Sequence, residues 1–469
     1  MNTHLRIVFA YCSDDPWIAV LARDLQKVSK ALGHELYVIA AGKHYTIERN
    51  SYINTDSFYG NYYLSTVFKT LRYPAIDLTE LTEIEALFVR QLGDGEQEST
   101  DAIHRRLQVW LAEAMVTLKI IQPDVVIVWN GLYSKRAVYV KAAHYLKIPV
   151  YYAEKGMLPN SWYVDPKGVN VLSSVAEQKP VDATVSGTAI DQFKQRLRTI
   201  DKKGESAWEQ PRRKDTALIR KDLGLEETHK VLFFPGQVDY DTNIVLFSEH
   251  FMHSLDALAW LVHGLPKDEF FVVAKPHPKG NANVEAFEKV LGDKGVVLSE
   301  INVLDAIALA DCIVSINSTI AFEAAVRAKP VLLLGQGILC NREYVSTYIP
   351  GIDPYEQVVG CIARYTENRE ALHQSALSFA AYLDAEYYAY REDQATTERL
   401  LRALTDKVPQ RSGKLLEREE IAALLQDISC EDFERSFLQG ITPGDITNWF
   451  SAKMLLKGLF EKIKNRCIP

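Results

Sequence analysis

Apolar positions in the first third of the chain fall into two alternating rhythms. Leu5–Tyr11 is a short β-rich apolar run, Trp17–Leu32 carries apolar residues at helical spacing, and Glu35–Ala41 is a second short run, which together predict a βαβ opening. Residues 42–75 are Tyr- and Asn-rich with weak periodicity and read as an irregular insertion. Helical spacing returns over Leu78–Leu92 and Ala102–Ile121, and Gln122-Pro123 stops the second helix. Asp124–Trp129 is too uniformly apolar to have a wet face, so it predicts a central parallel strand. Asn130-Gly131 then turns the chain into a helix over Ser134–Leu146, and Pro149–Ala153 is the next strand.

A polar, charge-dense stretch without apolar period, about Asp201–Lys214, predicts an interdomain linker. A second alternating set follows it. Val231–Phe234, Phe270–Ala274, Cys312–Ile316 and Val331–Leu334 predict strands, with helices over Val245–Leu265, Asn283–Leu291, Val303–Ala310 and Thr319–Ala328. Connections of that length are crossovers, so this is a second parallel sheet. The pattern predicts an α/β protein of two Rossmann-like domains facing a cleft, residues 1–200 and 215–370, followed by a helical region over 371–469 without strands. Its last segment, Asp445–Arg466, sets Trp449, Leu456, Leu459, Phe460 and Ile463 along one face against Lys453, Lys457, Lys462, Lys464 and Arg466. Such a helix fits an anionic membrane surface, and equally fits packing on its own protein with a solvated basic side.

Composition narrows the function classes. A chain of 469 residues with 47% hydrophobic and 24% charged residues is neither disordered nor collagen-like. A net charge of −8 argues against nucleic acid as a partner. Six cysteines without CxxC pairs or neighbouring histidines predict reduced thiols and no metal site. The apolar run Ile7–Cys12 is too short for a signal peptide, and no stretch nears the ~20 apolar residues a membrane span requires. A cytoplasmic protein is expected, peripheral on the inner membrane face if the final segment binds lipid.

Three loops at the carboxyl ends of predicted strands carry the candidate chemistry, because open α/β sheets bind ligands there. Glu154, directly after an apolar strand, is either a general acid/base with a raised pKa or a carboxylate held by Gly156 or Lys155. Pro235–Asn243 presents Gln237, Asp239 and Asp241 before a helix, and Asp241 is either a catalytic carboxylate or a helix N-cap. Lys275-Pro-His-Pro-Lys279 holds His277 on a stiff backbone. Asn317-Ser318-Thr319 opens a helix whose free N–H groups suit a phosphate, and Glu323 follows one turn later, placed for ribose hydroxyls. The chain has no GxxxxGK[ST] loop, no strand-linked GxGxxG, no GxSxG elbow and no HExxH.

Taken in order, Glu154-Lys-Gly-Met-Leu-Pro159 with Asp165-Pro-Lys-Gly-Val-Asn170, Gly236-Gln-Val-Asp-Tyr-Asp241, Lys275-Pro-His-Pro278 and Asn317-Ser-Thr-Ile-Ala-Phe-Glu-Ala324 resemble the bacterial capsular polysaccharide biosynthesis family of retaining β-Kdo glycosyltransferases. The resemblance implies a two-domain GT-B-like architecture with CMP-β-Kdo as donor substrate, held by the C-terminal domain, and a glycan or lipid-linked glycan as acceptor. It implies no cofactor and no metal. On the family pattern Asp241 is the nucleophile of a double displacement and Glu154 the acid that assists proton transfer, one acid from each domain. His277, Lys275 and Asn317-Ser318-Thr319 would hold the CMP phosphate and Glu323 the ribose. Kdo transfer in capsule or O-antigen assembly is the expected function. A polyol-phosphate transferase using a CDP-glycerol-type donor and a non-catalytic assembly partner are the alternatives.

Overall fold

The computed structural model describes residues 4–40, 52–54, 76–92, 98–178, 185–206, 209–280 and 284–410. It is an α/β protein whose chain divides into two compact units. One holds Met1–Ala153 together with the described residues from Arg391, and the other is Glu154–Tyr390.

The first unit opens with β1 (Arg6–Ala10), α1 (Pro16–Ala31), β2 (Glu35–Ala40) and β3 (Tyr52–Asn54). It continues with α2 (Thr79–Leu92), α3 (Thr100–Ile121), β4 (Val125–Trp129), α4 (Ser134–Tyr145) and β5 (Val150–Lys155), whose last two residues pass into the second unit. The strands pair in parallel in the order β5-β4-β1-β2-β3, with Val8 registered on Tyr37 and Val126. All five residues of β4 are buried, as a strand covered on both faces requires. Asp15 starts α1 by accepting the Trp17 N–H at 2.8 Å, with Pro16 in the first turn, and the helix buries Ile18, Leu21, Ala22 and Leu25. Within this core lies an ion pair between Lys135 of α4 and Glu113 of α3, Nζ to Oε2 2.5 Å, with side chains 2% and 3% exposed. Tyr139 donates to the same carboxylate at 3.5 Å.

The second unit begins with β6 (Ser161–Asp165), a 3-10 turn at Asn170–Leu172, α5 (Ser174–Glu177), α6 (Gly187–Lys203) and α7 (Thr216–Asp222). Next come β7 (Lys230–Pro235), α8 (Thr242–Phe247), α9 (Ser254–His263), β8 (Phe270–Lys275), α10 (Val284–Leu291), β9 (Gly295–Val297), α11 (Val303–Leu309) and β10 (Cys312–Ser315). It closes with α12 (Ile320–Ala325), β11 (Val331–Leu333), β12 (Ser346–Thr347), α13 (Pro354–Glu367), α14 (Arg369–Tyr382), a π-helical turn at Leu383–Tyr387 and β13 (Ala389–Tyr390). Six strands form a parallel sheet in the order β12-β11-β10-β7-β8-β9, so β7 and β10, adjacent in space, are distant in sequence. The chain then returns to the first unit as α15 (Gln394–Thr405), which lies along α1 and buries Thr397, Leu401 and Leu404. The Glu392 N–H donates to Asp24 Oδ2 at 2.9 Å at the start of this return.

Several expectations are corrected. Asp201–Lys214 does not link the units but lies inside the second, fixed to α11: Gln210 accepts the Val303 N–H at 3.0 Å, Asn302 donates to the Pro211 carbonyl at 2.7 Å, and the Lys214 N–H donates to Asp305 at 2.7 Å. The helix expected over Val245–Leu265 is two helices, separated at Ser248–His253 where Ser248 Oγ donates to the Phe251 carbonyl. Strands do not end at residue 371, because β13 pairs antiparallel with β6, a segment read as loop. The boundaries 1–200, 215–370 and 371–469 differ from the compact units, since Glu154–Tyr390 forms the second unit and the chain from Arg391 belongs with the first. The insertion 42–75, apart from β3, and the segment 445–466 lie outside the described residues.

Candidate functional site

The loops that leave β7 and β10 are joined by one side chain. Gln237, just past β7, accepts the Asn317 N–H on Oε1 at 2.9 Å and donates from Nε2 to Asn317 Oδ1 at 2.9 Å. Asn317 in turn donates to the carbonyls of Asn243 at 2.7 Å and Gln336 at 2.9 Å. Gly236 lets this loop press against the one after β8, since a Cβ there would stand 3.2 Å from Pro276 Cα and 3.3 Å from the His277 nitrogen. Gln237 and Asn317 thus act as a brace that sets the mouth of the site. Replacing Asn317 with Ala removes the side-chain partner of Gln237 Nε2 and of the Asn243 and Gln336 carbonyls, all still reached by solvent, and is expected to cost about 1 kcal/mol, read as a fall in the urea midpoint.

The two acids of the β7 loop part company. The chain turns, with the Asp241 N–H donating to the Val238 carbonyl at 2.9 Å, so they do not share a face as an extended backbone would dictate. Asp239 is 7% exposed and turns to the start of α9, accepting the Ser254 N–H at 2.9 Å and approaching His253 Nδ1 at 3.4 Å. Asp241 is the N-cap of α8, taking the Asn243 N–H at 2.8 Å, and stays open to solvent. Dense protein around it raises its carboxyl above the ordinary aspartate range, against the Asn243 hydrogen bonds and the Lys155 charge. Cap and candidate nucleophile are therefore the same group, because a cap occupies one carboxylate oxygen.

Beside this loop lies a pocket lined by Lys155, Asn170, Asn243, Ser318, Thr319 and Tyr388, among others. Ser318 Oγ accepts the Ile320 N–H at 3.3 Å, and Thr319 makes no side-chain cap, so its hydroxyl is not committed to α12. The opposite wall rests on Asp165. This fully buried carboxylate accepts the N–H groups of Lys167 at 2.7 Å, Gly168 at 3.3 Å and Ser174 at 2.9 Å, the Ser174 hydroxyl, and the Tyr387 hydroxyl at 2.7 Å. Tyr163 accepts the Asn170 N–H at 3.0 Å and Tyr388 the Met157 N–H at 3.1 Å. Burial, aided by the Glu154 charge, drives the Tyr163 phenol well above its usual range. Lys155, Tyr163 and Tyr388 were not among the expected site residues. For Lys155 the usable signal was its place at a strand's carboxyl end; for Tyr388 there was none.

The remaining expected residues are placed as follows. Glu154 lies at the end of β5, half-buried, and accepts the Lys155 N–H at 2.9 Å. It belongs to the same unit as Asp241, so the two acids do not come one from each unit. Lys275 directs Nζ to the carbonyls of Ser299 at 2.5 Å and Ile301 at 2.9 Å, which braces β8 against the end of β9. His277 accepts the Lys279 N–H on Nδ1 at 3.1 Å, and burial followed by the Lys279 charge lowers its pKa to about 4. It is therefore neutral near pH 7, with the proton on Nε2. Glu323 is 3% exposed; Oε1 accepts from the Ser206 hydroxyl at 2.7 Å, and burial raises its pKa.

Among the described residues no group of three or more His, Cys, Asp or Glu side chains is arranged to hold a metal ion, and no helix is long and apolar enough to cross a membrane. No protein-family model and no curated protein matches the chain. Solved structures similar to it include the β-Kdo 2,7 transferase of Thermosulfurimonas dismutans KpsC, 18% identical over 60% of this chain and 85% of that one, TM-score 0.37. The β-Kdo 2,4 transferase of the same protein is 17% identical over 59% and 87%, TM-score 0.38. UDP-GlcNAc 2-epimerase from Neisseria meningitidis is 15% identical over 86% and 100%, TM-score 0.37. At these values the function has to be read from the site itself.

Proposed function

We propose that the second unit binds a CMP-activated sugar, CMP-β-Kdo, and that the protein transfers Kdo with retention to a glycan or glycolipid in capsule or O-antigen assembly. The observation that carries this reading is Asp241: a solvent-open carboxylate, fixed by its own helix cap, beside a pocket whose wall is Asn243, Ser318 and Thr319. Retention through a covalent intermediate uses such a group. The Asp241 oxygen not engaged with Asn243 attacks the anomeric carbon and CMP departs with the electron pair. An acceptor hydroxyl then loses its proton to a base, assigned to Glu154, and displaces Asp241. Ser318 and Thr319 hydroxyls and the His277 Nε2–H supply hydrogen bonds to the phosphate.

Offering CMP-β-Kdo, CMP-sialic acid and CDP-glycerol separately and measuring nucleotide release tests this assignment. Release from CMP-β-Kdo alone is expected. Release from CDP-glycerol alone would transfer the site to polyol-phosphate chemistry, and CMP binding without turnover of any donor would reduce the protein to an assembly partner.

His277 gives a pH prediction of its own. A ring neutral down to about pH 4 acts as an uncharged donor, so the ratio of CMP affinities of wild type and His277→Ala should stay flat between about pH 6 and 8. The ratio itself is expected to be roughly tenfold, the worth of one hydrogen bond to a charged group. Calorimetry checks both, and a ratio that climbs on acidification through pH ~6.5 would mean that the imidazolium is the binding form.

A further inference from the structure

Two residues expected to hold the phosphate are not free cations. Lys275 is turned to two carbonyls and His277 is neutral near pH 7. A nucleoside monophosphate leaving group nevertheless gathers negative charge at its bridging oxygen. Among the described residues that line the pocket, Lys155 is the one cation.

Resting on the nucleotide-sugar reading above, we infer that Lys155, the last residue of β5, is the catalytic cation that holds the donor phosphate beside Asp241. Three features place it there. It lines the pocket together with Asn243, Ser318 and Thr319. Successive residues of a strand leave on opposite sides, so Glu154 and Lys155 face different parts of the site, and the side toward Asn243, Ser318 and Thr319 is the lysine's. Its charge acts on Asp241 and favours the ionised carboxylate; the other influences on that group are the dense protein around it and Asn243. One ammonium therefore faces both partners of the displacement, the attacking carboxylate and the departing phosphate. Attack consumes the carboxylate charge as CMP acquires its own, and Lys155 stays within reach of the negative charge throughout.

The test uses the full-length protein with Lys155→Met, Lys155→Arg and, as a control on the reading itself, Asp241→Asn. Lys155→Met is expected to lower kcat by ~10²-fold or more, the scale of removing one group that stabilises transition-state charge, and to weaken CMP binding. It should also move the acid limb of the pH–rate profile upward, because Asp241 loses the charge that opposes its protonation. Lys155→Arg should restore the limb and much of the rate, which a merely structural lysine would not do. Should Lys155→Met fold poorly, Lys155→Arg and Lys155→Gln carry the same comparison of pH limbs. Unchanged kcat, CMP affinity and pH profile in Lys155→Met, with Asp241→Asn inactive, would overturn the role of Lys155 and leave the reading intact. Absence of CMP binding by wild type, or a fully active Asp241→Asn, would overturn the reading itself.

Discussion

Replacing Asp241 with Asn is expected to lower sugar transfer by at least ~10³-fold while the protein stays folded. The substitution separates the two duties of this side chain. Asn is as good an N-cap as Asp, so the hydrogen bond from the Asn243 N–H that starts α8 survives, and unfolding by urea should show little change. What is lost is the nucleophile, since a carboxamide does not form the glycosyl ester. Intact-mass measurement after brief exposure to CMP-β-Kdo should reveal a sugar adduct on wild type and none on Asp241→Asn. Asp241→Ala should be equally inactive and lose in addition about 1 kcal/mol from the missing cap. The dense protein around it raises the carboxyl, and it attacks only when ionised. Activity of wild type should therefore fall on acidification at a pH above the ordinary aspartate range. An Asp241→Asn enzyme with wild-type turnover would show that the carboxylate is a helix cap and nothing more.

The largest expected effect on stability lies in the first unit. Lys135→Met leaves Glu113 buried among apolar side chains with its counter-charge removed, and should cost about 3–5 kcal/mol. Replacing both partners, Lys135→Met with Glu113→Leu, should recover most of that, because neither charge then has to be desolvated. The single variant should also have its own pH signature. Burial already raises the Glu113 carboxyl, and loss of the lysine raises it further. A carboxyl raised in the folded state stabilises the fold below its unfolded pKa, and that stability disappears as pH rises through the folded one. Lys135→Met should therefore be least impaired in acid, and urea midpoints across pH would show it. A double variant as unstable as the single one would mean that packing, not charge, is at stake.

What could be read from the sequence follows from where the determining interactions lie. Val125–Trp129 is legible as a central strand because five consecutive buried apolar residues have no other use. Ser161–Asp165 is not, since polar residues stand at both ends and its partner β13 has two residues, more than two hundred positions away. Asp241, Ser318 and Thr319 could be nominated from position alone, because carboxyl ends of parallel strands are where ligands gather. The direction of a long side chain there could not. Lys155 and Lys275 both end apolar strands, yet Lys275 finds the carbonyls of Ser299 and Ile301, which exist as a pair only once β9 has joined the sheet. Asp165 shows the same limit, since its donors come from Lys167, Gly168, Ser174 and Tyr387.

The return of the chain after Tyr390 has a consequence for how the molecule comes into being. Helix α1 leaves the ribosome early, but the helix that covers it, α15, is encoded about 360 residues later. At about 5–20 residues per second, that interval is on the order of tens of seconds. During it the whole of Glu154–Tyr390 emerges and can fold ahead of its predecessor. The first unit to be translated is thus the last to be finished, and a polypeptide cut after Ala153 would retain an uncovered α1 as a point for chaperone capture or aggregation.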